Sequence, residues 1–251
     1  MQKLFEGQVA LVTGAGGGIG RATALSFAQE GARVALCDLK PGATEETVAM
    51  IEAQGGQAHG EAFDITEAKA VDAFVDGVVA RWERLDAAFN NAGISLEGMS
   101  TPWGELEMYD AIVNVNARAV MLCMRAELRH MAKAGRGAIV NTSSVAGMSG
   151  LSGAGYCGSK HAVVGMTRSA AMAYATSGVR VNAVCPGAIV TPMTEAASAD
   201  PNAAAMMAQM HPMGRMGEAQ EIADAVLFLC SSKASFITGH PLAVDGGYLA
   251  R

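Results

Sequence analysis

The strongest constraint on this chain is an alternation of period that runs from one end to the other. Short β-branched runs at 8–13, 32–37, 57–63, 86–90, 137–142, 180–184 and 241–244 read as strands. Longer stretches at 19–30, 44–54, 67–81, 108–134, 155–176 and 219–230 read as helices between them. Strand runs this apolar are expected to be buried on both faces, which calls for a parallel sheet with helices on each side. The expected fold is therefore a doubly wound α/β sheet. No repeat period and no linker-like tract interrupts it, so a single domain spanning 1–251 is expected, with its ligand at the carboxyl ends of the strands.

Charge and composition narrow the partners. With 18 Lys and Arg against 24 Asp and Glu, the net charge of −6 lacks the basic excess that binds a phosphate backbone or an anionic membrane. The longest apolar runs, such as 225–230, fall far short of the roughly 20 residues of a membrane span. Met1-Gln-Lys-Leu-Phe-Glu6 carries no signal-peptide pattern, and a cytoplasmic location is expected. Five cysteines without a C-x-x-C read as reduced and structural, including Cys157, which has no charged neighbour in sequence. The five histidines show no metal-ligand spacing, so no catalytic metal is expected.

The first strand runs into Thr13-Gly-Ala-Gly-Gly-Gly-Ile-Gly20, which opens directly into a helix. Glycine tolerates positive φ and has no Cβ, while a helix N-terminus offers free N–H groups and a positive dipole end to a pyrophosphate. The spacing G-x-x-x-G-x-G departs from the commoner G-x-G-x-x-G, and a plain glycine-rich turn is the competing reading. The second strand ends at Asp38, 18 residues past Gly20. A carboxylate there accepts from ribose hydroxyls and repels a 2′-phosphate, which selects NAD over NADP in a Rossmann-type domain. Against this stand Asp38 as a turn or helix-cap residue and the nearby Lys40.

Tyr156 and Lys160 lie four residues apart near the start of a helix, so both project from one face. A phenol of ordinary pKa about 10 is a poor base at neutral pH, but an adjacent cation favours its phenolate. The strand 137–142 delivers Ser143 and Ser144 to its carboxyl end, where a hydroxyl can hold a substrate carbonyl.

Taken together, these segments resemble the short-chain dehydrogenases/reductases: Thr13-Gly14-x-x-x-Gly18-x-Gly20, Asn90-Asn91-Ala92-Gly93, Ser144, Tyr156-x-x-x-Lys160 and Pro186-Gly187, in that order. Met213-Gly-Arg-Met-Gly-Glu218 and Val244-Asp-Gly-Gly247 extend the resemblance over essentially the whole chain. It implies that Tyr156 is the general base in alcohol oxidation and the general acid in carbonyl reduction. Lys160 would lower the Tyr156 pKa together with a positive nicotinamide and would hydrogen-bond the nicotinamide ribose. Ser144 would position the reacting oxygen, with Ser143 as the alternative. Asn116 would support a water linking Lys160 to solvent, with Asn114 as competitor.

For the cofactor, the resemblance implies contacts from Gly14, Gly18, Ile19 and Gly20 in the turn, and from Asp64 with Ile65 at the adenine. Asn91 and Gly93 would line the cleft, and the Ile189 backbone and Thr191 would face the nicotinamide carboxamide. Asn91 as a tie between strands and Thr191 as a helix cap are the competing readings. The resemblance also implies a homotetramer packed through the helices near 108–134 and 154–176.

Three apolar segments would border the substrate: 94–99, the loop between Ser144 and Tyr156, and a lid over about 188–217. The lid carries Met193, Met206, Met207, Met210, Met213 and Met216, flexible side chains suited to moulding around an apolar ligand, or else plain gap-fillers or a subunit contact. His211 is a candidate substrate contact there. The expected activity is hydride transfer between NAD and a mostly apolar secondary alcohol or ketone. The alternatives are an NADP-dependent reductase of 3-oxoacyl thioesters and a dinucleotide-binding protein without turnover.

Overall fold

The structure is a computed structural model that describes residues 3–96, 103 and 105–250. Its main sheet comprises β1 (Val9–Thr13), β2 (Arg33–Asp38), β3 (Gln57–Ala62), β4 (Ala87–Asn90), β5 (Gly137–Thr142), β6 (Val179–Pro186) and β7 (Pro241–Val244). All pairings are parallel, in the order β3-β2-β1-β4-β5-β6-β7. The winding reverses between β1 and β4, and the carboxyl ends of these neighbours open the crevice in which doubly wound sheets hold ligands.

The helices are α1 (Gly18–Gln29), α2 (Pro41–Ala53), α3 (Ala68–Trp82), α4 (Leu106–Val113), α5 (Ala119–Ala134), α6 (Ala154–Tyr174), α7 (Pro192–Ser198), α8 (Pro201–Gln209) and α9 (Ala219–Cys230). Side chains of period two along the strands divide between two apolar layers. Val9, Leu11, Ala35 and Cys37 pack with α3, α5 and α6, whereas Ala10, Val12, Val34 and Leu36 pack with α1, α2 and α9. In the second layer Phe27, fully buried, meets Phe5 edge-on with ring centroids 4.9 Å apart, and each such burial contributes roughly 2–3 kcal/mol. This is the expected doubly wound α/β domain. Among the described residues no helix is long and apolar enough to cross a membrane.

Differences from the expected elements have local causes. The edge strand β3 exposes Gln57, Glu61 and Ala62, so burial on both faces fails there. Its polar sequence suits an edge, where it discourages pairing with other chains. α2 begins at Pro41 rather than residue 44, because proline is well placed in a first helical turn. The helix expected over 108–134 starts at Leu106 and is interrupted by a π-helical turn, Asn114–Arg118. Within the expected lid, Ile189–Val190 pairs in parallel with Gly217–Glu218, which brings the two ends of the segment together.

The amino end of the sheet is held by Asp86. Its carboxylate accepts from the Val9 N–H (2.9 Å), from Arg84 Nε (2.7 Å) and Nη2 (2.9 Å), and from Arg136 Nε (3.1 Å). Burial pushes this carboxyl up, but the bonds from Arg84, Val9 and Arg136 outweigh it and hold the pKa below the ordinary value.

Candidate active site

The glycine turn between β1 and α1 is shaped by close approach. Gly14 has φ +63°, and a Cβ there would come within 2.8 Å of Ala92 Cα. At Gly18, φ +50°, a Cβ would stand 3.3 Å from the Thr191 side chain. The turn is thus wedged between the segment leaving β4 and the segment entering α7. The N-cap of α1, Gly17, makes no side-chain bond, and the first turn holds no acidic side chain. The amides and the positive dipole end therefore meet no capping side chain. Ile19 packs on the apolar layer, leaving its backbone to the turn.

Asp38 reaches this turn from the end of β2. One carboxylate oxygen accepts from the Gly16 N–H at 2.9 Å and the other from the Lys40 N–H at 3.1 Å, so it braces the turn as its competing reading required. Arg21, passed over in the sequence, donates to the Gly16 carbonyl and to Glu46, which pairs its charge. Asn91 ties strands together: its N–H meets Thr13 Oγ1 at 3.0 Å and its Nδ2 donates to the Thr13 and Gly14 carbonyls at 3.2 Å. Asp64 is exposed and accepts from the N–H and hydroxyl of Thr66, both at 2.8 Å, while Ile65 is buried in the α3 layer.

Across the crevice, β5, α6 and the π turn converge on Lys160. This side chain is 4% exposed, donates to the Thr142 carbonyl at 3.0 Å, and lies 5.5 Å from the centroid of the Tyr156 ring. Gly93 admits the approach, since a Cβ there would lie 3.1 Å from Asn116 Oδ1 and 3.5 Å from Lys160 Nζ. Asn116 accepts from the Ile94 N–H and donates to the Ile94 carbonyl, both at 2.8 Å. Competing Asn114 meets Arg118 at 3.3 Å instead.

The two serines separate cleanly. The Ser143 hydroxyl donates to the Lys160 carbonyl at 2.9 Å and is spent on packing β5 against α6. Ser144 caps the short turn Val145–Gly147, accepting from the Ala146 N–H at 3.1 Å, and hydrogen-bonds the Tyr156 hydroxyl. Burial pushes the Tyr156 phenol above its ordinary value, and the Ser144 bond offsets this only in part. Lys160 itself is pushed down to about 8 by burial, with Cys185 acting weakly the other way.

Thr191 caps α7 in a reciprocal box with Thr194, and its side chain stands beside Gly18. Ile189 buries its side chain among the α1 and α9 residues. Of the lid methionines, Met193, Met206 and Met213 are exposed. Met213 lines a cavity of about 310 Å³ with His211, Arg215 and Asp245, and this cavity includes none of Ser144, Tyr156 or Lys160. Residues 97–99 of the expected apolar segment lie outside the described residues. His211, a candidate substrate contact, is 4% exposed and bonded on both ring nitrogens. Cys157 lies 3.6 Å from His161 Nδ1, a titratable neighbour one helical turn away.

Residues 14–249 match the family model described as enoyl-(acyl carrier protein) reductase. This match and the relatives below show that the chain belongs to the short-chain dehydrogenase/reductase family. It is 41% identical over 253 residues to cyclohexanol dehydrogenase of Acinetobacter sp. (strain SE19), covering 100% of this chain and 98% of the relative. Levodione reductase superposes with a TM-score of 0.92 at 38% identity, covering 98% of this chain and 99% of the other. A candidate NAD(P)-dependent gluconate 5-dehydrogenase from Beutenbergia cavernae, with NADP bound at low occupancy, superposes with a TM-score of 0.93 at 35% identity over 100% of both chains.

Proposed function

We propose that this protein oxidises mostly apolar, ring-shaped secondary alcohols, or reduces the matching ketones, with NAD(H) as hydride partner. The observation that carries the reading is the convergence of Ser144, Tyr156 and buried Lys160 on one side of the crevice, with the glycine turn on the other. The residues present fit a dinucleotide: the uncapped start of α1 suits a pyrophosphate, and Asp38 at the end of β2 suits unphosphorylated ribose hydroxyls. In this reading Gly14, Gly18, Ile19 and Gly20 take the phosphates, Asp64 and Ile65 flank the adenine, and Asn91 and Gly93 line the cleft. Ile189 and Thr191 face the carboxamide. When bound, the nicotinamide accepts or supplies the hydride.

The chain's own residues do the rest. Ser144 holds the reacting oxygen against Tyr156, whose hydroxyl takes the carbinol proton in oxidation and returns it in reduction. The Lys160 ammonium lies against the ring and favours the phenolate once it forms. Asn116 keeps the Ile94 backbone and the π turn fixed beside Lys160, and in this reading it supports a water that links Lys160 to solvent. Orientation within the crevice supplies much of the rate. The ring preference is supported by the exposed Met148, Met193 and Met206 and by the named activities of the cyclohexanol and levodione relatives.

The second reading, an NADP-dependent reductase, draws on Arg21 at the Gly16 carbonyl and on the relative that holds NADP. Side-by-side titration with NADH and NADPH, followed by a panel of cyclohexanols and polyols, separates them. The expected result is tighter NADH, turnover of cyclohexanols, and loss of the NADH preference in Asp38→Ala; tighter NADPH or faster polyol turnover would overturn it. The same reading includes a homotetramer assembled through α5 and α6, and a monomer mass by light scattering would refute that part.

A further inference from the structure

His211 follows α8 on the return arm of the segment between the paired strands Ile189–Val190 and Gly217–Glu218. Its Nδ1 lies 2.8 Å from the Met207 carbonyl, which can only accept, so Nδ1 carries the hydrogen. Nε2 is left as an acceptor and takes the Ala188 N–H at 3.1 Å. The ring is enclosed by backbone: a Cβ on Gly187 would lie 2.5 Å from Nε2, a Cβ on Gly246 would lie 3.4 Å from the His211 Cβ, and the Tyr248 ring stands 5.7 Å away. On its other side Ala188 offers its carbonyl to the Gly217 N–H at 2.9 Å. Both polar groups of Ala188 are thus held by the return arm, one of them by a single imidazole.

Ala188 is the residue before Ile189, and the chain runs on from there to Thr191 beside Gly18. We propose that His211 is a positioning residue for the nicotinamide end of the dinucleotide, acting through Ala188 to set the path from Ile189 to Thr191. The proposal rests on the reading of Ile189 and Thr191 as carboxamide contacts. Its chemistry is specific, because a ring or amide with an acceptor at the Nε2 position reproduces the bond to this part-buried N–H, whereas a shorter side chain does not reach it.

The test uses two variants and two ligands. His211→Asn keeps a donor for the Met207 carbonyl but cannot reach Ala188, whereas His211→Gln places an amide oxygen near the former Nε2. Each is titrated with NADH and with ADP-ribose, which lacks the nicotinamide. H211N is expected to weaken NADH roughly tenfold while leaving ADP-ribose within about twofold, and H211Q to stay within about threefold of wild type for both. Unchanged NADH binding in H211N, or equal losses for NADH and ADP-ribose, would overturn the proposal. If H211N does not fold, H211Q decides: a loss of NADH affinity of about tenfold despite the retained acceptor refutes it, and retention supports it. Wild type that binds neither ligand refutes the dinucleotide reading itself, an outcome distinct from any of these.

Discussion

Replacing Glu127 with glutamine is expected to stabilise the protein in neutral and alkaline solution but not in acid. Glu127 lies on α5, fully buried, with Oε2 accepting from Asn90 Nδ2 at 3.0 Å. Among the described residues Glu127 Oε1 and Asn90 Oδ1 have no partner. Burial pushes the carboxyl up to about 7 from an ordinary 4.5, the Asn90 bond opposing this weakly. A folded pKa above the unfolded one means that the unfolded chain releases its proton first. The stability linked to Glu127 is therefore whole below pH 4.5, declines as the pH rises to 7, and stays lost above it. At about 1.4 kcal/mol per pH unit, the loss totals about 3.5 kcal/mol, of which about 2.5 kcal/mol falls between pH 5 and pH 8.

Glutamine keeps an oxygen for Asn90, carries no proton to lose in this range, and offers an N–H₂ that can meet the unpartnered Asn90 oxygen. Urea unfolding of wild type and E127Q at pH 5 and pH 8, at matched protein concentration, measures the difference directly. The wild type should lose about 2.5 kcal/mol more than the variant between the two pH values. Equal losses would refute the reasoning, because Glu127 would then ionise in the folded chain as readily as in the unfolded one.

Two further outcomes are expected. Because burial holds the Tyr156 phenol protonated, alcohol oxidation should climb with pH up to about 8, where Lys160 loses its charge, and carbonyl reduction should fall beyond that point; profiles of kcat/KM in both directions check this, and pH-independent oxidation would refute it. Asp86→Asn should cost about 2–3 kcal/mol at pH 7 by stripping charge from three bonded groups. The depressed pKa makes that cost shrink as the pH falls through the carboxyl's folded pKa, and an undiminished cost in acid, read from denaturant melts, would count against it.

The strand and helix succession was legible because period and turn chemistry are local. Val9–Thr13, the glycine turn and α1 follow from residues that touch one another in sequence. The candidate site was legible where spacing does the work: Tyr156 and Lys160 share a face because four residues make about one helical turn. What the sequence withheld depends on partners far along the chain. Glu127 looks like an ordinary helix-surface carboxylate until Asn90, 37 residues away, is placed over it. His211 looks like a lid residue open to substrate until Met207 and Ala188 claim both nitrogens. Ser143 and Ser144 are chemically alike, and only the packing of α6 assigns one to the Lys160 carbonyl and the other to Tyr156.

The π turn between α4 and α5 has a consequence for how this chain tolerates change in length. A π turn holds one residue more than the regular ladder needs. Deleting one residue between Val113 and Ala119 would heal the i→i−4 bonding and favour the helix taken alone. It would also turn everything on one side of the cut by about 100° relative to the other. Asn116 could then face Ile94, or α5 could keep its seat against the sheet, but not both. The surplus residue works as a phase shifter that lets one helix answer to two surroundings, so a shorter and locally better helix would make a worse protein.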